Sequence, residues 1–336
     1  MQRLELLQQW LHGLFPGRDY SLAPASADAS FRRYFRVSFP EADIARTLVV
    51  MDAPPEHEDC RPYLHVAELF GQAGAHVPAV LEKDLARGFL LLSDLGSTTY
   101  LAALKPDNAR KLYGDATAAL VNIQLASRPG ELPEYDRALL QRELDLFPEW
   151  YLTRHLKVEL SDGQKNVLKA AFEHILAVNL AEPRVFVHRD YHSRNLMFLD
   201  HEANPGVLDF QDAVYGPISY DLVSLFKDAY VEWEEEETLD WLIRYWEQAR
   251  KAGLPVHPDF AAFHRDYEFM GAQRHIKVLG IFARLYHRDG KDGYLKDMPL
   301  VMHHLRKTCD RYRALGPLLK LLDEIEGKQV EVGYTF

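Results

Sequence analysis

Between residues 188 and 222 the sequence concentrates groups that handle phosphate and divalent cations. They run His188-Arg189-Asp190-Tyr191-His192-Ser193-Arg194-Asn195, then Leu208-Asp209-Phe210, then Gly216 and Asp221-Leu222. Asp190 follows the apolar run Val185-Phe186-Val187, Asn195 stands five positions later, and Asp209 closes a second apolar run. A carboxylate that can accept the proton of an attacking hydroxyl, with a carboxamide and a second carboxylate as hard oxygen ligands for Mg²⁺, is the inventory of phosphoryl transfer from a nucleotide. Taken singly, each Asp or Asn in a loop reads as a turn former bonded to its own backbone. The joint spacing, followed by a hairpin and apolar-Asp-Phe, outweighs that reading. His188 and His192 have the i, i+4 spacing of a zinc helix. Arg189 stands where that chemistry needs Glu, and the preceding run is strand-like, so zinc is rejected. His188 reads instead as a hydrogen-bonding brace for the loop.

The elements that must position these groups follow from periodicity. Leu4, Leu7, Leu11 and Leu14 recur at helical spacing, so the chain starts as an amphipathic helix. Residues 20–51 read as two or three strands, with Phe31, Arg33, Phe35 and Val37 on one alternating face. A helix is predicted over 62–73, closed by Gly74, and strands over 80–82 and 89–92, the latter ending in Ser93-Asp94-Leu95-Gly96. From residue 108 the helical period dominates, predicting helices over 108–126, 136–156, 162–180, 236–252, 259–287 and 298–323. Short apolar runs over 185–214 interrupt them, with a hairpin among them. The class is α+β.

Composition narrows the possibilities. The 336 residues carry a formal net charge of −11, unlike the basic footprint of a nucleic-acid binder. A local pocket can still oppose that global sign and take an anion. No apolar run approaches the roughly 18 residues of a membrane span, and the N-terminus lacks the pattern of a secretory signal. Cys60 and Cys309 fit no metal or redox motif. A cytoplasmic monomer, with neither nucleic acid nor membrane as partner, is expected.

The His188-x-Asp190 to Asn195 motif with Asp209 resembles the aminoglycoside phosphotransferase and choline kinase superfamily. The run Asp209, Gly216, Asp221, Leu222 is similar to its second hallmark. The resemblance implies a bilobal protein-kinase-like fold, with a small antiparallel sheet and one helix in a nucleotide-binding lobe (1–96) and a larger, mostly helical lobe (97–336). It also implies Asp190 as catalytic base, Asn195 and Asp209 as Mg²⁺ ligands, Asp221 as a buried brace, and ATP or another nucleoside triphosphate as donor. Nearly the whole chain is similar to one branch, the bacterial N-acetylmuramate/N-acetylglucosamine kinases of peptidoglycan recycling. The segments that carry this are Ala29–Arg36, Val49–Pro55, Phe89–Thr98 and Gln273–Phe282. That branch phosphorylates the anomeric hydroxyl, giving a sugar α-1-phosphate. Other small alcohols of the aminoglycoside, choline or homoserine type are the alternative acceptors, and a nucleotide-binding pseudokinase the alternative class.

The sequence departs from the superfamily at the phosphates. Ser26-Ala27-Asp28-Ala29-Ser30 stands where a Gly- or Ser-rich loop is usual, and its amides with the hydroxyls of Ser26 and Ser30 could cradle phosphate. Val50-Met51-Asp52 has no basic residue where a strand lysine is usual. Positive charge must then come from Arg32, Arg33 or Arg36, and on a strand only one of Arg32 and Arg33 can face a given side. Ser93, Asp94 and Leu95 would form the hinge that reads the adenine edge. Glu68 on the predicted helix reads as solvated or as partner to a phosphate-side base. Tyr191, His192, Gln211, Asp212 and Tyr215 flank the catalytic elements and are candidates for binding sugar hydroxyls. A carboxylate-bearing acceptor would need a cation, for which Arg274 is the first candidate, with His275 and Lys277 behind it.

Overall fold

A computed structural model of the chain describes residues 2–26, 31–40, 47–200 and 202–327; of Gln2 and Ser26 only the backbone is described. Two compact units are present. The first comprises Met1–Ala103 and Asn195–Asp212, the second Leu104–Arg194 and Ala213–Phe336. The segment 195–212 therefore groups with the N-terminal residues.

The first unit starts with α1 (Gln2–Leu14), followed by β1 (Ser21–Ser26), β2 (Arg33–Ser38), β3 (Thr47–Asp52), α2 (Cys60–Gln72), β4 (Val80–Asp84), β5 (Phe89–Ser93) and the single turn α3 (Tyr100–Ala103). The strands form one antiparallel sheet in the order β1-β2-β3-β5-β4. Leu7 and Leu11 of α1 are buried against Val37, Leu48, Val50, Phe89 and Leu91. Leu7, Leu11 and Leu14 of the leucine spacing form the stripe that packs on this sheet, and Leu4 is left exposed. Asp59 caps α2 by accepting from the Arg61 amide at 2.9 Å. Phe31 lies outside β2, exposed and stacked on His57.

The second unit is helical except for one ribbon. Its helices are α4 (Ala109–Leu125), α5 (Arg137–Leu146) and α6 (Asp162–Asn179). Strand β6 (Arg184–Val187) precedes the first unit's hairpin of β7 (Leu196–Met197) and β8 (Gly206–Val207). Strand β9 (Val214–Pro217) then leads to α7 (Tyr220–Phe226), α8 (Glu235–Ala252), α9 (Phe260–Asp289), α10 (Met298–Arg311) and α11 (Gly316–Glu326). The expected helix over 136–156 is two. Residues 147–155 form a π-helical stretch, because Pro148 removes an amide donor and widens the turn. Close approach is needed at that junction: a Cβ on Gly280 of α9 would sit 2.6 Å from the Leu146 backbone. The expected helix over 298–323 breaks at the extended Tyr312, and Gly316-Pro317 opens α11. The 30-residue α9 packs against α5, α6, α7 and α10, and it buries Glu268, Gln273, Arg274, His275 and Lys277 along with its apolar residues. Buried charge of that density calls for partners.

Candidate active site

In the second unit, β6 pairs antiparallel with β9 from Arg184↔Pro217 to Val187↔Val214 and delivers the chain to His188. A Cβ on Gly216 would meet the Tyr135 side chain at 2.6 Å, so that position of the motif answers a close approach. Asp221, fully buried on α7, accepts from the amides of His188 at 2.7 Å and Arg189 at 3.0 Å. Burial pushes its carboxyl up to about 7, against the pull of those two hydrogen bonds. The buried His188 places Nδ1 3.2 Å from the Asp190 amide. Arg189 is held at φ 78°, a left-handed conformation that a side chain disfavours. Its guanidinium ion-pairs with Glu143. Ser193 donates its amide to Asp228 at 3.0 Å. The loop is fixed at both ends by buried carboxylates.

Asp190 itself is 41% exposed at its side chain, with an Arg274 guanidinium nitrogen 3.7 Å from its carboxylate. Burial of the carboxylate opposes its charge, but Lys277, Arg274, His192 and Arg189 outweigh burial and hold Asp190 well below the usual carboxylate range. It stays ionised through neutral pH.

The cations named for an acceptor carboxylate all lie on α9. Arg274 is buried and donates to the Arg189 carbonyl at 2.7 Å and the Tyr220 hydroxyl at 3.3 Å. Lys277, buried, donates to Tyr220 at 2.9 Å and lies 3.1 Å from Glu143. His275 stacks on His304, and burial holds its pKa well below the ordinary histidine value, so it is neutral. From within α9, Arg274 bonds the loop backbone, Lys277 bonds Tyr220 and Glu143, and His275 meets the Lys227 carbonyl. Tyr191 is also buried, and its hydroxyl donates to the Ala116 carbonyl at 2.8 Å. His192 is kept neutral by burial, lies edge-on to Tyr230, and leaves Nδ1 without a hydrogen-bond partner. The Tyr215 ring rests against Phe186 and under Arg184.

In the first unit, the β7–β8 hairpin brings Asn195 to Asp209, Nδ2 to Oδ2 at 3.4 Å, and the Leu208 amide donates to the Asn195 carbonyl at 2.9 Å. Asp209 is held at φ 61°. Arg189 and Asp209, each in its own unit, are both non-glycine residues of the sequence motif held in this conformation. Phe210 is buried against Tyr63 and Phe70 of α2. Gln211 donates to Asp209 at 2.7 Å. The exposed Asp212 and Asp209 both lie within electrostatic range of Arg32, which also approaches Glu58 at 4.0 Å. Arg33 is tied to Asp52, which is fully buried and also takes Arg3 at 2.7 Å. The neighbours thus part, Arg32 approaching Glu58 with Asp209 in electrostatic range and Arg33 pairing with Asp52.

The expected hinge is built from its own side chains. Asp94 binds Arg36 at 2.6 Å and the Gly96 amide at 2.9 Å, and the Ser93 hydroxyl accepts from the Ala79 amide at 2.8 Å. Leu95 is buried. Glu68 is exposed and accepts from Gln72. Ser30 lies outside the described residues, as does the Ser26 side chain. Among the described residues no cluster of three or more His, Cys, Asp or Glu can hold a metal ion. Asn195 with Asp209 fits Mg²⁺ nonetheless, because Mg²⁺ is usually held by one or two carboxylates with water and substrate phosphates. No helix among the described residues is long and apolar enough to cross a membrane.

Sequence reasoning missed Glu143, Tyr220 and Asp228, whose roles depend on contacts across the fold, and Arg194, hidden inside the motif.

Residues 21–264 match the phosphotransferase enzyme family. The chain is 49% identical over its full length to an N-acetylmuramate/N-acetylglucosamine kinase of Neisseria meningitidis serogroup B, covering 100% of both chains. It is 52% identical to one of Pseudomonas aeruginosa over 90% of this chain and 87% of that one. Among solved structures it is similar to the choline kinase LicA from Streptococcus pneumoniae, with TM-score 0.64, 12% identity, and coverage of 91% of this chain and 100% of that chain. It is also similar to a gentamicin complex of APH(2'')-IIa, with TM-score 0.59, 15% identity, and coverage of 88% and 95%. Those two likenesses show the protein-kinase-like fold.

Proposed function

The chain belongs to the phosphotransferase enzyme family, and from that premise we propose that it transfers the γ-phosphoryl group of ATP to the anomeric C1 hydroxyl of N-acetylmuramate, N-acetylglucosamine or both. The observation that carries the reading is identity of about half over nearly the whole chain to kinases bearing those sugars' names. The product would be a sugar α-1-phosphate, suited to a nucleotidyl-transfer step that salvages cell-wall sugar in the cytoplasm.

In this reading Asp190 accepts a hydrogen bond from the anomeric hydroxyl and takes its proton as the new P–O bond forms. Its depressed pKa makes it a poor base for early deprotonation. A loose phosphoryl transition state needs little nucleophile activation, so orienting the hydroxyl is the larger part of its work. Asn195 and Asp209 would hold Mg²⁺. When bound, the cation would supply neutralisation of the charge on the nucleotide's phosphates. Arg32 would supply the positive charge that Asp52 denies to the third strand, and the backbone of 93–95 would receive the adenine.

The test is ADP release with each sugar, with and without Mg²⁺, and NMR of the product. Mg²⁺-dependent release with phosphorus on C1 is expected. Phosphate at another carbon, or turnover of choline or an aminoglycoside in preference to both sugars, would replace the acceptor assignment. Nucleotide binding without turnover would make the chain a pseudokinase.

A further inference from the structure

An acceptor that carries a carboxylate needs a cation with unused donors, whereas Arg274 and Lys277 of α9 already donate to protein oxygens. We propose that Arg194 is the specificity-determining residue, whose guanidinium binds the carboxylate of a carboxylate-bearing amino sugar and so separates N-acetylmuramate from N-acetylglucosamine. This rests on the amino-sugar kinase reading above.

Arg194 lies on the catalytic loop, four residues after Asp190. Its guanidinium carbon stands 3.9 Å from the Tyr230 ring centroid and 5.7 Å from that of Tyr294. Phe282 backs both rings, 6.3 Å from Tyr230 and 5.1 Å from Tyr294. Stacking of this kind orders a guanidinium through its faces and leaves the N–H edge free. Among the described residues Arg194 makes no hydrogen bond and no ion pair, while Arg274, Lys277 and Arg189 are each bonded to protein oxygens. Two carboxylates are near enough to compete. Asp228 is occupied by the Ser193 and Tyr230 amides. Asp297, at the end of the 3₁₀ turn that carries Tyr294, is within electrostatic range of Arg194 without pairing to it, and its Oδ2 has no hydrogen-bond partner.

A planar, preordered fork with its edge unspent is the geometry that binds a carboxylate bidentately at low entropic cost. N-acetylglucosamine lacks the lactyl carboxylate that N-acetylmuramate carries on O3, so the fork has a partner in only one of the two acceptors. The interaction discriminates between them without touching the reacting hydroxyl.

The experiment measures kcat and KM for both sugars in wild type, Arg194→Met, Arg194→Lys and Asp297→Asn, with thermal midpoints for each. In Arg194→Met the ratio of kcat/KM for N-acetylmuramate over N-acetylglucosamine is expected to fall roughly 10- to 100-fold, through KM, as expected for losing a charge-assisted pair. Arg194→Lys recovers part of that ratio, since it keeps the charge and loses the fork. Asp297→Asn leaves the ratio near that of wild type. Equal losses on both sugars in the two Arg194 variants would overturn the proposal and make the residue a loop support. A ratio that collapses only in Asp297→Asn would overturn it in favour of an Arg194–Asp297 pair. A wild-type enzyme that phosphorylates neither sugar sinks the amino-sugar reading, and this inference with it.

Discussion

Arg274 places a guanidinium nitrogen 3.7 Å from the Asp190 carboxylate and donates at 2.7 Å to the carbonyl of Arg189, one residue upstream. One buried side chain thereby sets both the backbone path of the loop and the charge of its central acid. It does so from α9, far along the sequence, with Tyr220 shared between Arg274 and Lys277.

Removing the Asp190 charge tests its role most directly. Asp190→Asn should lower kcat by about 10²- to 10⁴-fold, the usual weight of a positioned acid–base group. Nucleotide affinity, read by calorimetry, should change little. Turnover close to wild type would show that another group receives the proton.

The Arg274 contact predicts a pH effect of defined sign. Lys277 and Arg274 lower the Asp190 pKa, so the wild-type acid limb of kcat/KM lies below the ordinary carboxylate range. Arg274→Met removes one of those cations and leaves burial in place, so the acid limb should move to higher pH. Arg274→Lys should hold it nearer its original place. An acid limb identical in all three would sever Arg274 from the titration of Asp190.

Arg32 and Arg33 should separate cleanly. Arg32→Met is expected to raise the KM for ATP by about tenfold, the scale of one charge-assisted contact to phosphate. Arg33→Met should leave that KM within about twofold and lower stability instead, because it strips a partner from the buried Asp52 carboxylate. Urea denaturation beside steady-state kinetics distinguishes the two. A KM effect larger at Arg33 than at Arg32 would reverse the assignment.

Stability should fall with alkalinity through Glu182. Burial pushes its carboxyl up to about 8 from an ordinary 4.5, although Ser219 hydrogen-bonds to it. The folded chain therefore holds a proton that the unfolded chain has released between those two values. That favours the fold at low pH, and the contribution is lost as pH rises from about 4.5 through about 8. In Glu182→Gln the slope of unfolding free energy across this window should flatten. An unchanged slope would assign it to other groups, Asp221 first among them.

The sequence by itself determined a great deal. Short-range rules carried the local elements: most of the leucine stripe of α1, the alternating β2, the break of the helical period at 185–214. The motif from His188 to Asp221 was legible because phosphoryl transfer needs particular functional groups at particular spacings along one loop and one hairpin. Tertiary structure decided what each charged side chain does. Arg32 and Arg33 are neighbours with equal chemistry, and only the burial of Asp52 beside one of them tells them apart. Arg274 looked like a cation for substrate, and the fold bonds it to the loop; Arg194 was given no role by the sequence, and the fold stacks it on Tyr230 with its donors unspent. The reason is that a charge is defined by its partners, and those partners lie tens of residues away, at distances that no local pattern encodes.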